Sequence, residues 1–204
     1  MVRKKTGELR ENILDSARRL FGRFGPRKTT VDEIALEAGV GKGTVYYYFA
    51  DKEDIFLRVI QEEAEELLRR IEGAVESCEH PVQKLQALFV ERIRGLGELW
   101  NLRWLKSCPE PRRWRGLVEE EAKLSRSERA LVADILEGGK ASGVFAFEDA
   151  GVIAQSLTNI LSALDRTWSE GLSLREMKKR IEETLRIVVE GLRARELEPE
   201  GKVH

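Results

Sequence analysis

Between Thr30 and Lys52 the chain reads TTVDEIALEAGVGKGTVYYYFADK, a run whose side chains suit contact with a polyanion better than they suit catalysis. Lys42 can donate to the guanine acceptors of a major groove or to phosphate, and Gly43 lets the backbone approach a base closely. Tyr47 offers an apolar ring to a thymine methyl and a polar tip beyond it. Thr30, Thr44, Tyr48 and Lys52 are the donors expected at phosphate oxygens. Tyr46 is a secondary contact whose ring can also pack inward. Enzyme chemistry finds no comparable cluster. His80 and His204 are the only histidines, no HExxH or paired-carboxylate arrangement occurs, and Cys78-x-His80 is too sparse to hold a metal. The string GVGKGT looks superficially like a phosphate-binding loop. The glycine required five places before Gly41 is Leu36, however, and Lys42 is followed by Gly43 where serine or threonine is needed. No catalytic residue, metal or cofactor is expected, and the chain is read as not an enzyme.

The elements that must position these residues are helices. Leu9, Ile13, Ala17, Leu20, Phe21 and Phe24 form an amphipathic stripe that Gly25-Pro26 stops. Thr30-Val31-Asp32-Glu33 has the form of a capping box and opens a second helix of about two turns. Val31, Ile34, Ala35 and Ala38 are its inner face, and Gly39 ends it at a position that tolerates a left-handed backbone. Helical spacing resumes from Lys42 to Phe49, with Val45 and Phe49 expected to be buried. Asp51 then caps a fourth helix, with Asp54 at its third position, running to about Glu76. Two short helices joined by a tight glycine-containing turn, after a longer packing helix, make a helix-turn-helix. Its second helix lies in the major groove of double-stranded DNA.

The segment TTVDEIALEAGVGKGTVYYYFADKEDIF resembles the DNA-binding signature of the TetR family of transcriptional regulators. Thr30, Ala35, Gly39, Val40, Thr44, Tyr46, Phe49 and Lys52 fall where that pattern places them. Tyr48 departs from it, since many members carry histidine there, although a phenol can still reach phosphate. The resemblance implies an all-α protein with a helix-turn-helix DNA-binding domain over residues 1–54, its motif at about 30–49. A larger helical domain for ligand binding and dimerisation would follow over 55–204. It further implies a homodimeric repressor released from a palindromic operator when a small-molecule effector favours a DNA-incompetent state, since half-sites about 34–36 Å apart tolerate little change. Two other classes compete: a helix-turn-helix protein with a structural or chromosome-organising role and no inducer, and a helical-bundle enzyme.

Composition supports a helical protein of this kind. With 204 residues the chain can bury a core, and 42% hydrophobic with 35% charged residues favours long helices with solvated faces. The net charge of −1 hides an excess of +4 over residues 1–50. Cys78 and Cys108 are too few for a disulfide framework and suit a reducing compartment. No secretory h-region is visible at the start. The longest charge-free stretch, Ala150 to Leu164, falls short of the ~20 apolar residues a membrane span needs. A cytoplasmic location with no membrane partner is expected. Arg3, Lys4 and Lys5 could form a basic arm in the minor groove or a disordered tail.

Beyond residue 77, Pro81 can open a fifth helix loosened at Gly95-x-Gly97, and a break follows. A long helix from about Trp114 to Lys140 is expected to end at Gly138-Gly139. An eighth helix should run from about Asp149 to Glu170. A ninth begins at the capping box Ser173–Glu176. Trp100, Trp104 and Trp114, with Phe89, are candidates for the wall of an effector pocket, preferring an aromatic, lipophilic or acyl compound. The same tryptophans beside Arg92, Arg103 and Lys106 would equally serve core packing. Leu157, Leu161, Leu164, Leu185 and Val188 are candidates for the dimer surface, with Gly151, Ala154, Ser162 and Ala163 allowing close approach. A stripe of this kind could also pack inside one subunit.

Overall fold

The computed structural model describes residues 2–108, 114, 116–167 and 173–193, and the side chains within them except those of 2–6, 107, 164–167 and 174. Among the described residues the chain is all-α: α1 Val2–Phe24, α2 Val31–Glu37, α3 Lys42–Tyr48, α4 Lys52–Glu76, α5 Pro81–Glu98, α6 Trp100–Ser107, α7 Leu117–Ala141, α8 Ala150–Thr167 and α9 Leu174–Leu192. A single β-bridge, Phe145 to Arg193, is the one extended pairing among them. No helix among them is long and apolar enough to cross a membrane. The helices form two compact units, one drawn from residues 1–68 and 96–124, the other from 69–95 and 125–204.

In the first unit, Ile13, Leu14, Ala17 and Phe21 of α1 are buried with Ile34 and Ala35 of α2, Val45 of α3, and Ile55, Phe56, Val59 and Ile60 of α4. Helix α2 is closed at both ends by its own sequence. The Thr30 hydroxyl accepts from Glu33 N while Glu33 Oε2 accepts from Thr30 N at 2.7 Å, completing the capping box. At the other end of α2, Gly39 has φ +66°, its N–H donates to Leu36 O, and Val40 N donates to Ala35 O. That pair of bonds satisfies carbonyls that would otherwise be orphaned, at a φ that favours glycine. Asp51 caps α4 by accepting from Asp54 N at 2.8 Å, and Asp54 accepts from Ala50 N. The backbone of α1 starts at Val2, so Arg3, Lys4 and Lys5 stand on a helix where an arm or a disordered tail was expected. Nothing between Val2 and Arg10 is a strong helix breaker beyond Gly7.

Helix α6 occupies the place where a break was expected. Its sequence offers no cap, because Leu99 at the N-cap makes no side-chain bond to the first turn. The acceptor comes from far away. Glu63 of α4, 3% exposed, accepts from Leu102 N and from Asn101 Nδ2, each at 2.7 Å, and Asn101 Nδ2 also reaches Arg18 O of α1 at 3.2 Å. Burial holds the Glu63 carboxyl above its usual range, against the opposing pull of these hydrogen bonds and of Arg18. A carboxyl whose folded pKa is raised favours folding most below its unfolded pKa. That contribution is lost as pH rises through the folded value. Glu63→Gln is therefore expected to flatten the dependence of Tm on pH just above the usual glutamate range. An unchanged profile would place the titration elsewhere.

In the second unit, Leu85, Leu88 and Phe89 of α5, Val132 and Leu136 of α7, Leu157 and Leu161 of α8, and Ile181, Leu185 and Val189 of α9 are buried. Here α7 passes through the expected stop at Gly138-Gly139 and ends at Ala141, with Gly143 at φ +72° taking the terminating role. Val144 N donates to Gly139 O and Gly143 N to Lys140 O. Gly139 is needed for a different reason: a Cβ there would lie 2.1 Å from Phe145 Cδ2, so only a bare backbone admits that ring. Asp149 caps α8 by accepting from Val152 N, and Ser173 with Glu176 forms the expected capping box of α9. At the end of α9, Leu192 O accepts from Ala146 N at 2.8 Å. Between α5 and α7, Arg92 Nε donates to Glu128 Oε1 at 2.8 Å, with the two side chains 1% and 3% exposed.

Candidate nucleic-acid interface

The surface of α3 and the start of α2 brings most of the expected donors together. Tyr47 is 78% exposed, Tyr46 is about half exposed, and Lys42 and Gly43 are exposed beside them, while Val45 and Phe49 hold the helix down. Tyr47 packs edge-on against the half-buried Tyr48 at 5.0 Å between centroids, and Tyr48 meets Phe49 at 6.5 Å. Tyr47, Tyr48 and the buried Phe49 thus form a continuous aromatic strip, with Tyr46 exposed beside it. Thr44 is half-buried next to the turn. A Cβ at Gly43 would meet nothing within 4 Å, so the protein's own packing does not require glycine at that position. An exposed bare backbone leaves room for an outside group to come close.

Several donors are already engaged. Lys42 Nζ lies 2.9 Å from Asp32 Oδ2, and this bond, followed by the charge of Asp32, raises the Lys42 pKa. Thr30 Oγ1 donates to Glu33 Oε2, and its backbone N–H is the main cause of a lowered Glu33 pKa. Lys52 Nζ donates to Thr29 O at 2.8 Å and to Arg27 O at 3.4 Å, tying down the loop before α2 and leaving one N–H for a phosphate. Asn12 Nδ2 donates to Ala38 O at 2.8 Å, and the Arg10 guanidinium stands 5.4 Å from the Phe49 ring centre, so α1 fixes both short helices. Sequence reasoning missed Asp32, Asn12 and Arg10 as parts of this surface. Asp32 carried a visible signal, a carboxylate in the first turn of α2 beside the engaged Glu33, but nothing local shows which lysine it meets.

The pocket candidates separate. Trp104 and Trp114 pack at 5.7 Å, each 5.3 Å from Phe56, which in turn meets Phe21 at 5.1 Å. This is an aromatic core in the first unit. Trp100 is 58% exposed and carries the Arg103 guanidinium 3.8 Å over its ring. Phe89 belongs to the second unit, where it is buried in a narrow crevice with Leu157, Leu161, Ile181 and Leu185. The same unit holds an open cleft of about 370 Å³ whose apolar floor is Val75, Pro81, Leu131 and Ile135, with Lys84 and Asp134 on its rim.

The dimer candidates also divide. Leu157, Leu161 and Leu185 are buried within a single chain and Val188 is half-buried, whereas the Leu164 side chain lies outside the described residues. The interior of one subunit, the alternative weighed from sequence, takes those three leucines because they face Phe89. Among the described side chains of the same two helices, the exposed large apolar ones are Val152 at 63%, Ile160 at 40% and Ile187 at 68%.

Residues 13–59 match the family model of bacterial regulatory proteins, tetR family. The HTH-type transcriptional regulator LmrA of Bacillus subtilis is 35% identical over 159 residues, covering 65% of this chain and 85% of that protein. The HTH-type transcriptional repressor KstR2 of Mycobacterium tuberculosis is 35% identical over 150 residues, 71% of this chain and 70% of its own. Among solved structures, the regulator FadR of Bacillus subtilis, in complex with stearoyl-CoA, superposes with a TM-score of 0.72 at 23% identity, over 89% of this chain and 98% of that one.

Proposed function

Because the chain belongs to the tetR family of bacterial regulatory proteins and is a helix-turn-helix transcriptional regulator, we propose that it acts as a cytoplasmic homodimeric repressor of a palindromic operator, released by a small molecule. The observation that carries this reading is the face of α3, where Lys42, Gly43, Tyr46 and Tyr47 stand exposed on a helix anchored by Val45 and Phe49. An aromatic strip beside a lysine and an open backbone matches the donor and methyl pattern of a major groove. In this proposal Thr30, Thr44, Tyr48 and the remaining N–H of Lys52 meet phosphates. Residues 1–54 form the DNA-binding part, and 55–204 hold effector and dimer surfaces.

The effector is a lipophilic or acyl compound, an acyl thioester being the leading class. Its support is FadR, solved with stearoyl-CoA, together with the apolar cleft and crevice of the second unit. Release follows if the effector binds better to a conformation whose two recognition helices no longer fit half-sites one turn apart.

Unbiased selection of bound DNA from a random pool tests the core of the proposal, with a palindrome as the expected product. On that sequence Lys42→Ala and Tyr47→Ala are each expected to weaken binding by about 1–3 kcal/mol and to relax base preference. Thr44→Ala should weaken operator and random DNA alike, as a phosphate contact does. Equal losses on both DNAs for Lys42→Ala would remove that lysine from base recognition. DNA retained after addition of acyl thioesters and other lipophilic metabolites would favour a regulator or architectural protein without an inducer of this class.

A further inference from the structure

We propose that Asp32 is a specificity-determining residue of this interface: it serves as a built-in counter-ion that turns Lys42 from a general cation into a hydrogen-bond donor for a base. The inference rests on the reading of α3 as the recognition helix. Lys42 opens α3 and Asp32 lies in the first turn of α2, yet their charged groups meet at 2.9 Å. The neighbouring carboxylate, Glu33, is occupied by the N–H and the hydroxyl of Thr30, so Asp32 is the one turned to the recognition helix. Both partners are at least half exposed, and Tyr46, one turn on from Lys42 along α3, is exposed as well.

Charge and hydrogen bonding separate at such a pair. Sequence-independent affinity comes from cations that displace counterions from the phosphate backbone, and each neutralised phosphate adds about 0.9 to the slope of log K against log salt. A lysine already neutralised at 2.9 Å contributes little to that term. An ammonium has three N–H donors, however, and Asp32 takes one. The other two stay available to guanine O6 and N7, which demand donors in place and not net charge. The pair therefore withholds Lys42 from random DNA while offering it to the right base. The same compensation recurs nearby: Arg19 pairs with Glu37, and Arg18 with Asp15 and Glu62.

The test is Asp32→Asn, measured on operator and on random duplex across a salt series. Binding to random DNA is expected to tighten about three- to ten-fold at physiological ionic strength, and its salt slope to steepen by roughly one unit, as a freed lysine reaches phosphate. Operator affinity should change less than about three-fold, so the specificity ratio falls. Asp32→Glu, which can restore the counter-ion, should return the ratio towards that of the unmodified protein. In a Lys42→Met background the gain from Asp32→Asn should shrink, because the two act as a coupled pair. An undiminished gain there would mean that Asp32 simply repels phosphate, and an unchanged slope in the single variant would mean that it does nothing; either overturns the proposal. An unmodified chain that selects no sequence overturns the reading of α3 itself, before any variant is made.

Discussion

Arg92→Ala is expected to cost the fold about 3–5 kcal/mol, a large part of the 5–15 kcal/mol that typically separates a folded domain from its unfolded chain. Arg92 and Glu128 join α5 to α7 at 2.8 Å, with side chains 1% and 3% exposed. Truncating the arginine leaves the Glu128 carboxylate buried without its guanidinium, and also removes further contacts that Arg92 makes. The loss should exceed anything an exposed pair such as Arg186–Glu183 would produce, since solvent screens those to about 0–1 kcal/mol. Replacing both partners by apolar residues of similar size, Arg92→Met with Glu128→Leu, should recover the part of the loss that comes from the stranded Glu128 carboxylate. Urea unfolding of the single and double variants checks this. A single-variant loss under about 1 kcal/mol would show that water reaches the carboxylate.

The second large effect concerns assembly. Ile160→Glu combined with Ile187→Glu is expected to convert a dimer to a monomer and to lower operator affinity by about 10²–10⁴-fold. Two linked recognition helices bind a palindrome with an effective concentration that a monomer lacks. Ile160 and Ile187 are exposed apolar side chains of α8 and α9, so carboxylates there disturb the proposed partner surface, and Ile160 also borders the crevice that holds Phe89. Leu157→Glu or Leu185→Glu would not make the same test. Those side chains are buried within one chain, and a carboxylate there is an unpaired buried charge that unfolds the second unit. Sedimentation of the double variant, with circular dichroism as the folding control, decides the matter. A folded dimer with undiminished operator binding would move the interface off this face.

What could be read in advance was local. The capping boxes at Thr30–Glu33 and Ser173–Glu176, the left-handed turn at Gly39, and the aspartate cap of α4 all involve residues a few positions apart, and each is present as expected. Helix α3 was legible for the same reason, since Lys42 to Phe49 carries its own anchors, Val45 and Phe49. Features made by distant partners were not. Helix α6 has no local cap and depends on Glu63, 39 positions before Leu102. Gly139 looked like a helix stop because glycine commonly is one, yet its absent side chain serves the Phe145 ring. The apolar stripes of α8 and α9 were visible as stripes. Which side chains turned inward depended on Phe89 of α5, about seventy residues upstream. The bond between Asp32 and Lys42 spans only ten positions, but it crosses a turn whose geometry decides whether two exposed charges meet.

The packing of Phe56 against Trp104 and Trp114 gives the molecule an optical property of its own. Indoles packed edge-on against other rings emit at shorter wavelength than one in water. Trp100, exposed beneath the Arg103 guanidinium, supplies the longer-wavelength component. Phe56 sits on α4, one turn beyond Lys52, so these indoles report on the packing of the helix that directly follows the recognition helix. With Trp168 replaced by Phe, the colour of the unlabelled emission is thus a running record of how tightly the unit containing the helix-turn-helix is packed.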